Sequence, residues 1–398
     1  MRIPQLAAVV GTLLVALSLP ALADVQFSLA DFEKVSAPRF SMISVGGSMF
    51  GKLSLSPDFN LGPVGVGVDS NLYIPMDSSG PYPAEFNSIV LRRVAYDHNK
   101  VAGFEYGRLQ NVTYGHGLLM NNYDSGAGGA TSEFSNEKAG AKGYVRISDL
   151  TVNTMYTASQ VKAARITYDT PINLMGVPVV AGATYVTDED GTHKDVDGHR
   201  VERDSQAGYG FDVAYPLGGE FMTFYSEYAK LENQGEGASV GVRGDLLSIF
   251  GYKAEYRTFG ANFVPEYFNR SYEATSFDVN NDMPGKTLSG FLVGAYGNVF
   301  EDYVRLGAEY EFYEDRNLLS AALGWQRLMD TAGVINYKVP FQTGGQAILS
   351  SDIAYYTGGP VDYVVHWKQV AIDANTKTES YAVSLRFNMQ KMFPGVPF

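Results

Sequence analysis

The sequence predicts an all-β fold, a transmembrane antiparallel up-and-down β-barrel of about 16–18 strands with a possible lumen-inserted segment. Three observations predict it: a leader for export, no later stretch long enough for a membrane helix, and repeated segments in which apolar and polar side chains alternate with period two.

Residues 1–23 read as a secretory signal peptide. Arg2 supplies the positive start, Leu6 to Leu19 the apolar core, and Ala21-Leu22-Ala23 the small-residue cleavage site, so the mature barrel is expected to occupy 24–398. After Ala23 the longest apolar run, Val177-Pro178-Val179-Val180-Ala181, falls far short of the roughly 20 residues a membrane helix needs. The chain has no cysteine, which excludes disulfides, thiolate metal sites, haem attachment and an acylated lipoprotein N-terminus; no cofactor is expected. Its 43 Gly, 27 Tyr and 23 Phe, against 18% charged residues, favour strands and tight turns. The net charge of −13, which becomes −14 once Arg2 leaves with the leader, argues against nucleic acid and against a polybasic membrane surface.

A membrane strand of about 9–11 residues points successive side chains to lipid and to lumen. In 249–258, Phe250, Tyr252, Ala254 and Tyr256 oppose Gly251, Lys253, Glu255 and Arg257. In 303–313, Val304, Leu306, Ala308, Tyr310 and Phe312 oppose Arg305, Gly307, Glu309 and Glu311. In 361–368, Tyr363, Val365 and Trp367 oppose Asp362, His366 and Lys368. In the last strand Tyr381, Val383, Leu385 and Phe387 oppose Ala382, Ser384, Arg386 and Asn388, with the tail 389–398 beyond. Such segments fall near 40–56, 60–73, 87–95, 101–109, 141–149, 160–168, 173–186, 207–215, 220–231, 237–245, 248–258, 286–296, 300–312, 316–328, 333–341, 347–357, 361–371 and 378–388. Two of them, 220–231 and 333–341, are ambiguous in phase, which leaves 16 open. An even number keeps both termini on one side. Arg92 and Arg93 are adjacent and must face opposite ways, which places one of them at an interface or a strand end.

With both termini on one side, Asp169-Thr170-Pro171, Pro216-Leu217-Gly218-Gly219, Asp330-Thr331-Ala332-Gly333 and Thr357-Gly358-Gly359-Pro360 are expected as short turns on that same side. The long inserts 187–206 and 259–285 fall on the opposite side. Segment 110–140 breaks the pattern, as a long Gly-rich connection on the short-turn side. It is expected either to fold into the lumen as a constriction or plug, or to hide a further strand pair.

The run Gly107-Arg108-Leu109-Gln110-Asn111-Val112-Thr113-Tyr114-Gly115-His116-Gly117-Leu118-Leu119-Met120-Asn121-Asn122-Tyr123 resembles a group of porin-like bacterial outer-membrane β-barrels. Two further blocks carry the resemblance: Tyr256-Arg257-Thr258-Phe259-Gly260-Ala261-Asn262-Phe263-Val264-Pro265-Glu266-Tyr267-Phe268 and Ala183-Thr184-Tyr185-Val186-Thr187-Asp188. The resemblance implies a barrel in the cell outer membrane of a Gram-negative-type bacterium, with no established substrate or catalytic residue to carry over.

The candidate pore-lining residues are the inward ones: Lys253, Glu255, Arg257, Arg305, Glu309, Glu311, Asp362, His366, Lys368 and Arg386. Charged side chains at a narrowing set ion preference, but both signs are present; the competing reading is a packed salt-bridge network in a closed lumen. His116, Asn121 and Asn122 are candidate constriction residues, His116 lying on the tight Tyr114-Gly115-His116-Gly117 backbone; the competing reading there is a structural turn. Asp188, Asp190, Asp195 and Asp197 form a weak candidate calcium loop that lacks the spacing and distal Glu of an EF-hand, so a solvated acidic loop is the better reading. No Gly-x-Ser-x-Gly or His-Glu-x-x-His motif occurs, and no catalytic residue is assigned.

The expected function is passive diffusion of small polar solutes or ions. A non-conducting display barrel is the second reading and a barrel enzyme the third. Expected partners are outer-membrane lipid, the barrel-assembly machinery and the solute, with oligomeric state open.

Overall fold

The computed structural model describes residues 39–45, 48–55, 58–76, 88–125, 139–189, 192–194, 200–202, 205–217, 221–246, 250–270, 272–273, 285–299, 303–339, 341, 347–371 and 377–387. The leader 1–23 and the tail 389–398 lie outside these residues.

In chain order the strands begin with β1 (Arg39–Val45), β2 (Ser48–Leu55), β3 (Asp58–Leu61), β4 (Val64–Pro75), β5 (Ser88–His98), β6 (Ala102–Arg108), β7 (Val112–Tyr114), β8 (Met120–Tyr123) and β9 (Ala139–Ile147). Next come β10 (Leu150–Thr157), β11 (Val161–Leu174), β12 (Val177–Asp188), β13 (Thr192–Lys194), β14 (Arg200–Glu202), β15 (Gln206–Leu217), β16 (Met222–Leu231), β17 (Gly235–Leu246) and β18 (Phe250–Phe259). The chain continues with β19 (Phe268–Asn269), β20 (Leu288–Val299), β21 (Val304–Tyr313), β22 (Asn317–Leu328), β23 (Thr331–Lys338), β24 (Ile348–Tyr355), β25 (Val361–Ala371) and β26 (Lys377–Phe387).

All but β7, β8, β13, β14 and β19 belong to one 21-stranded sheet. β2 and β3 both pair with β4 and together make one side of its hairpin, so the wall counts 20 antiparallel strands. The sheet closes where β1 meets β26, pairing Phe40 with Leu385 and Met42 with Val383. Closure leaves no unpaired edge, the condition a sheet must meet in lipid. Among the described residues no helix is long and apolar enough to cross a membrane.

The count exceeds the expected 16–18 because two strands were merged or missed. The segment 40–56 is a hairpin, β1 and β2, and 150–157 is a strand of its own, β10. The split of 40–56 also moves 109–138 to the other end of the barrel, which removes the anomaly in the turn pattern. Connections at the end carrying the described termini are short, from the pair at 62–63 to 356–360, and the long ones, 109–138, 189–205 and 260–287, share the opposite end. Asp169-Thr170-Pro171 is not a turn but a register shift within β11, whose hairpin turn is Met175-Gly176, both with positive φ (53° and 85°). Arg92 is the extra residue of a bulge: Gly67 pairs with Arg93 and Val68 with Leu91.

Period two sets the two faces. Phe104, Tyr156, Ile166, Phe211, Val240, Phe291, Tyr310 and Val365 are exposed on the outer face and form a lipid-facing band, as the alternation predicts. The inward residues of the same strands are polar, small or buried.

Candidate functional site

A wall of 20 strands encloses a lumen too wide for its own side chains to fill, and two connections from the long-loop end fold into it. In the first, Leu109 to Ser125, β7 and β8 make a short ladder. In the second, after β18, β19 adds to β8 in parallel and pairs Phe268 with Met120 and Asn269 with Asn121. The amides of Glu266 and Phe268 donate to the carbonyls of Leu118 and Leu119, at 2.9 and 3.2 Å. The two longest blocks that carry the family resemblance therefore meet inside the barrel. For 110–140 the lumen-inserted expectation holds over its described part; the start of 259–285, expected as an outer loop, folds inward because its apolar residues Phe263, Val264 and Phe268 find a core there.

That core holds Leu118, Leu119, Met120 and Tyr123 against wall residues such as Val161, Val186, Leu231, Phe259 and Leu288. Burying each large apolar side chain contributes about 1.5–3 kcal/mol. Wall glycines make the seats: a Cβ on Gly140, Gly208 or Gly237 would lie 2.8 Å from Leu109, 2.7 Å from Leu119 or 2.6 Å from Phe263. A gap of about 10 Å³ beside Glu266 and Lys338 has room for one water.

Beneath the plug lies a ladder of inward charges. Glu227 of β16 accepts from the backbone amides of His116 and Leu118, both at 3.0 Å. The turn that presents these amides has Gly115 at φ +75° and Gly117 at φ +99°, and a Cβ on Gly115 would lie 2.1 Å from the Glu227 carboxylate. Tyr114-Gly115-His116-Gly117 is thus an amide cradle for a wall carboxylate, the structural-turn alternative with a specific partner.

The His116 ring is 6% exposed and stacks on Tyr225 at 4.1 Å. Burial, reinforced by the Arg243 charge, lowers its pKa to about 3. The imidazole is therefore neutral, and its 3.6 Å approach to Asp212 is not an ion pair. Among the described residues neither ring nitrogen has a hydrogen-bond partner. Asp212 is instead held by Arg165, which donates to its two oxygens at 2.6 and 2.9 Å and to Thr184 at 2.9 Å.

Lys253, Glu255 and Arg257 form a second, buried network. Lys253 lies 2.9 Å from Glu255, Arg257 donates to Glu255, and the Tyr225 hydroxyl donates to the same carboxylate. Arg257 also donates to Glu311 at 3.0 Å and reaches Glu266 of the plug at 3.6 Å. Three of the candidate pore-lining residues are therefore buried in this network, and Arg257 ties it to the plug. Paired charges in so dry a setting fix geometry more than they add stability.

The remaining candidates are placed separately. Arg305 is half-buried and Glu309 buried on the inner face of β21, and Asp362 accepts from the Thr357 amide at 3.0 Å, which caps a short turn. His366 meets Asp352 at 2.8 Å, in a pair about 36% and 37% exposed. For Lys368 and Arg386 only the register is described, opposite Ser350 and Asp362. Asn121 is buried, and Asn122 takes a left-handed φ of 51°. Asp188 faces inward and accepts from the Tyr272 hydroxyl at 2.7 Å; Asp190, Asp195 and Asp197 lie outside the described residues. Sequence reasoning missed Glu227, Asp212, Arg165 and Arg243; their inward phase on β16, β15, β11 and β17 was the available signal.

No protein-family model matches the chain, and no curated protein is similar to it. Among solved structures the chain is similar to the outer membrane protein opdK from Pseudomonas aeruginosa, at 10% identity over 88% of this chain and 96% of that one, with a TM-score of 0.35. It is similar to Pseudomonas aeruginosa OpdQ at 9% identity over 88% and 93%, TM-score 0.37. It is also similar to a triple mutant of the Rhodopseudomonas blastica porin at 11% identity over 88% and 97%, TM-score 0.30. Likeness at this level assigns no activity; the architecture of a membrane barrel rests on the closed strand pairings and the lipid-facing band.

Proposed function

We propose that the chain, exported behind the leader 1–23, is a channel of the cell outer membrane that passes small polar solutes or ions beside a built-in plug. The observation that carries this reading is the one-sidedness of the plug. Among the described residues its core touches the wall from β10 to β23, while on the far side inward polar groups stay exposed: the Asp352 and His366 pair, and Arg93, 48% exposed, which bonds Glu105 at 3.1 Å. Lys142 joins Glu105 at 3.0 Å on the same inner face. Polar groups that stay hydrated on a lumen wall supply a path that an apolar core cannot. In this reading the short-turn end, with both described termini, faces the periplasm.

A non-conducting barrel that displays its long-loop end is favoured by a different observation, the ion pairs of Lys253, Glu255 and Arg257 that close the near side of the lumen. Single-channel conductance of the refolded chain from Asp24 onward, with and without residues 116–138, separates the two. Steady steps that grow on deletion are expected. Silence from both, with folding verified by heat-modifiable mobility, overturns the channel.

A further inference from the structure

We propose that Arg243, with Lys253 opposite it and His116 on the same Tyr225 ring, forms a binding site for a small oxyanion, a carboxylate or phosphate group, on the short-turn side of the plug. Arg243 and Lys253 are direct cross-strand partners on the inner face of β17 and β18. Like charges placed directly opposite are unfavourable in a sheet unless something between them compensates. Lys253 is compensated, 2.9 Å from Glu255. Arg243 is not: among the described residues it makes no hydrogen bond or ion pair, and its guanidinium lies only over the Tyr225 ring, at 5.6 Å.

The acids nearby are already engaged. Glu255 holds Lys253, Arg257 and Tyr225; Asp245, two residues further along the inner face of β17, accepts from Tyr296; Asp212 is taken by Arg165. The same Tyr225 ring that Arg243 covers also stacks with His116, whose two buried ring nitrogens lack partners among the described residues. A half-buried guanidinium offers paired N–H donors in a fixed fork, which matches two oxygens on one atom. Two groups on one ring thus leave donors unused, and an oxyanion satisfies them where a cation would be repelled by Arg243 and Lys253.

The site rests on the channel reading only for the route by which the anion arrives, and calorimetry needs no conduction. Sodium acetate and inorganic phosphate are titrated separately into the folded chain at constant chloride, for the native sequence, Arg243→Gln and Arg243→Lys. Saturable binding of at least one anion by the native chain, weakened tenfold or more by Arg243→Gln and less by Arg243→Lys, is expected. Acetate alone identifies a carboxylate site, phosphate alone a phosphate site, and both the shared oxyanion chemistry. No saturable binding by the native chain, or equal binding by a folded Arg243→Gln variant, overturns the site; should that variant not fold, equal binding by Arg243→Lys together with displacement by chloride overturns it. Binding without conductance in a planar bilayer removes the channel and leaves the site standing.

Discussion

Glu227 and His116, 111 positions apart in the chain, are joined by a carboxylate that receives the His116 amide at 3.0 Å inside the barrel. With the Leu118 amide on the same oxygen, this is the point at which the wall grips the turn of the plug.

Glu227→Ala removes that grip and strands two buried amides, each costing about 1–3 kcal/mol. Amide exchange at His116 and Leu118 is expected to accelerate by an order of magnitude or more, while exchange in the wall strands stays slow. Unchanged protection at both amides would show that the apolar core alone seats the segment.

Acid should loosen the plug through His116. Burial holds this imidazole neutral to about pH 3, whereas the exposed ring titrates near 6.5. The displaced segment therefore binds the proton first, so seating is at full strength above pH 6.5 and weakens as pH falls from there toward 3. His116→Phe keeps the stack on Tyr225 without a titrating group. Limited proteolysis of 109–125 from pH 7.5 to 4 should rise in the native chain more steeply than in the variant, and parallel profiles would clear His116 of the role.

Gly208→Val tests the seat of Leu119, because even a Cβ there would lie 2.7 Å from Leu119 and 3.0 Å from the Lys230 carbonyl. The plug should become protease-sensitive while the wall keeps its heat-modifiable mobility. Loss of the wall as well would mean that the two do not separate energetically.

Val240→Arg places a charge in the middle of the lipid-facing band, at a cost of roughly 2–4 kcal/mol. The refolded fraction in bilayers should fall several-fold. Normal refolding would reverse the facing assigned to β17.

The wall was legible wherever lumen charges alternate with apolar residues, as in β18 and β21. It was not legible at β10, where the inward Thr151, Asn153, Met155 and Thr157 carry no charge and a two-residue turn at Ser148-Asp149 separates it from β9. Nor was the hairpin of β1 and β2 legible, since apolar residues occupy both phases from Met42 to Phe50 and blur the break. Within 110–140, Leu118-Leu119-Met120 was the sign of burial, an apolar triplet in an otherwise polar connection. The joining of that triplet to Phe268 had no local sign, because a two-residue parallel pairing leaves no periodicity to read.

The distance along the chain between the two halves of the plug also sets an order of events. Tyr123 bonds Glu273, a partner 150 residues later, so the interior cannot be completed until β9 to β18 are strung between them. Contacts this remote form slowly, because a long loop must close before they give any stability. Joining of the plug's two halves is therefore expected to trail the pairing of the wall strands strung between them.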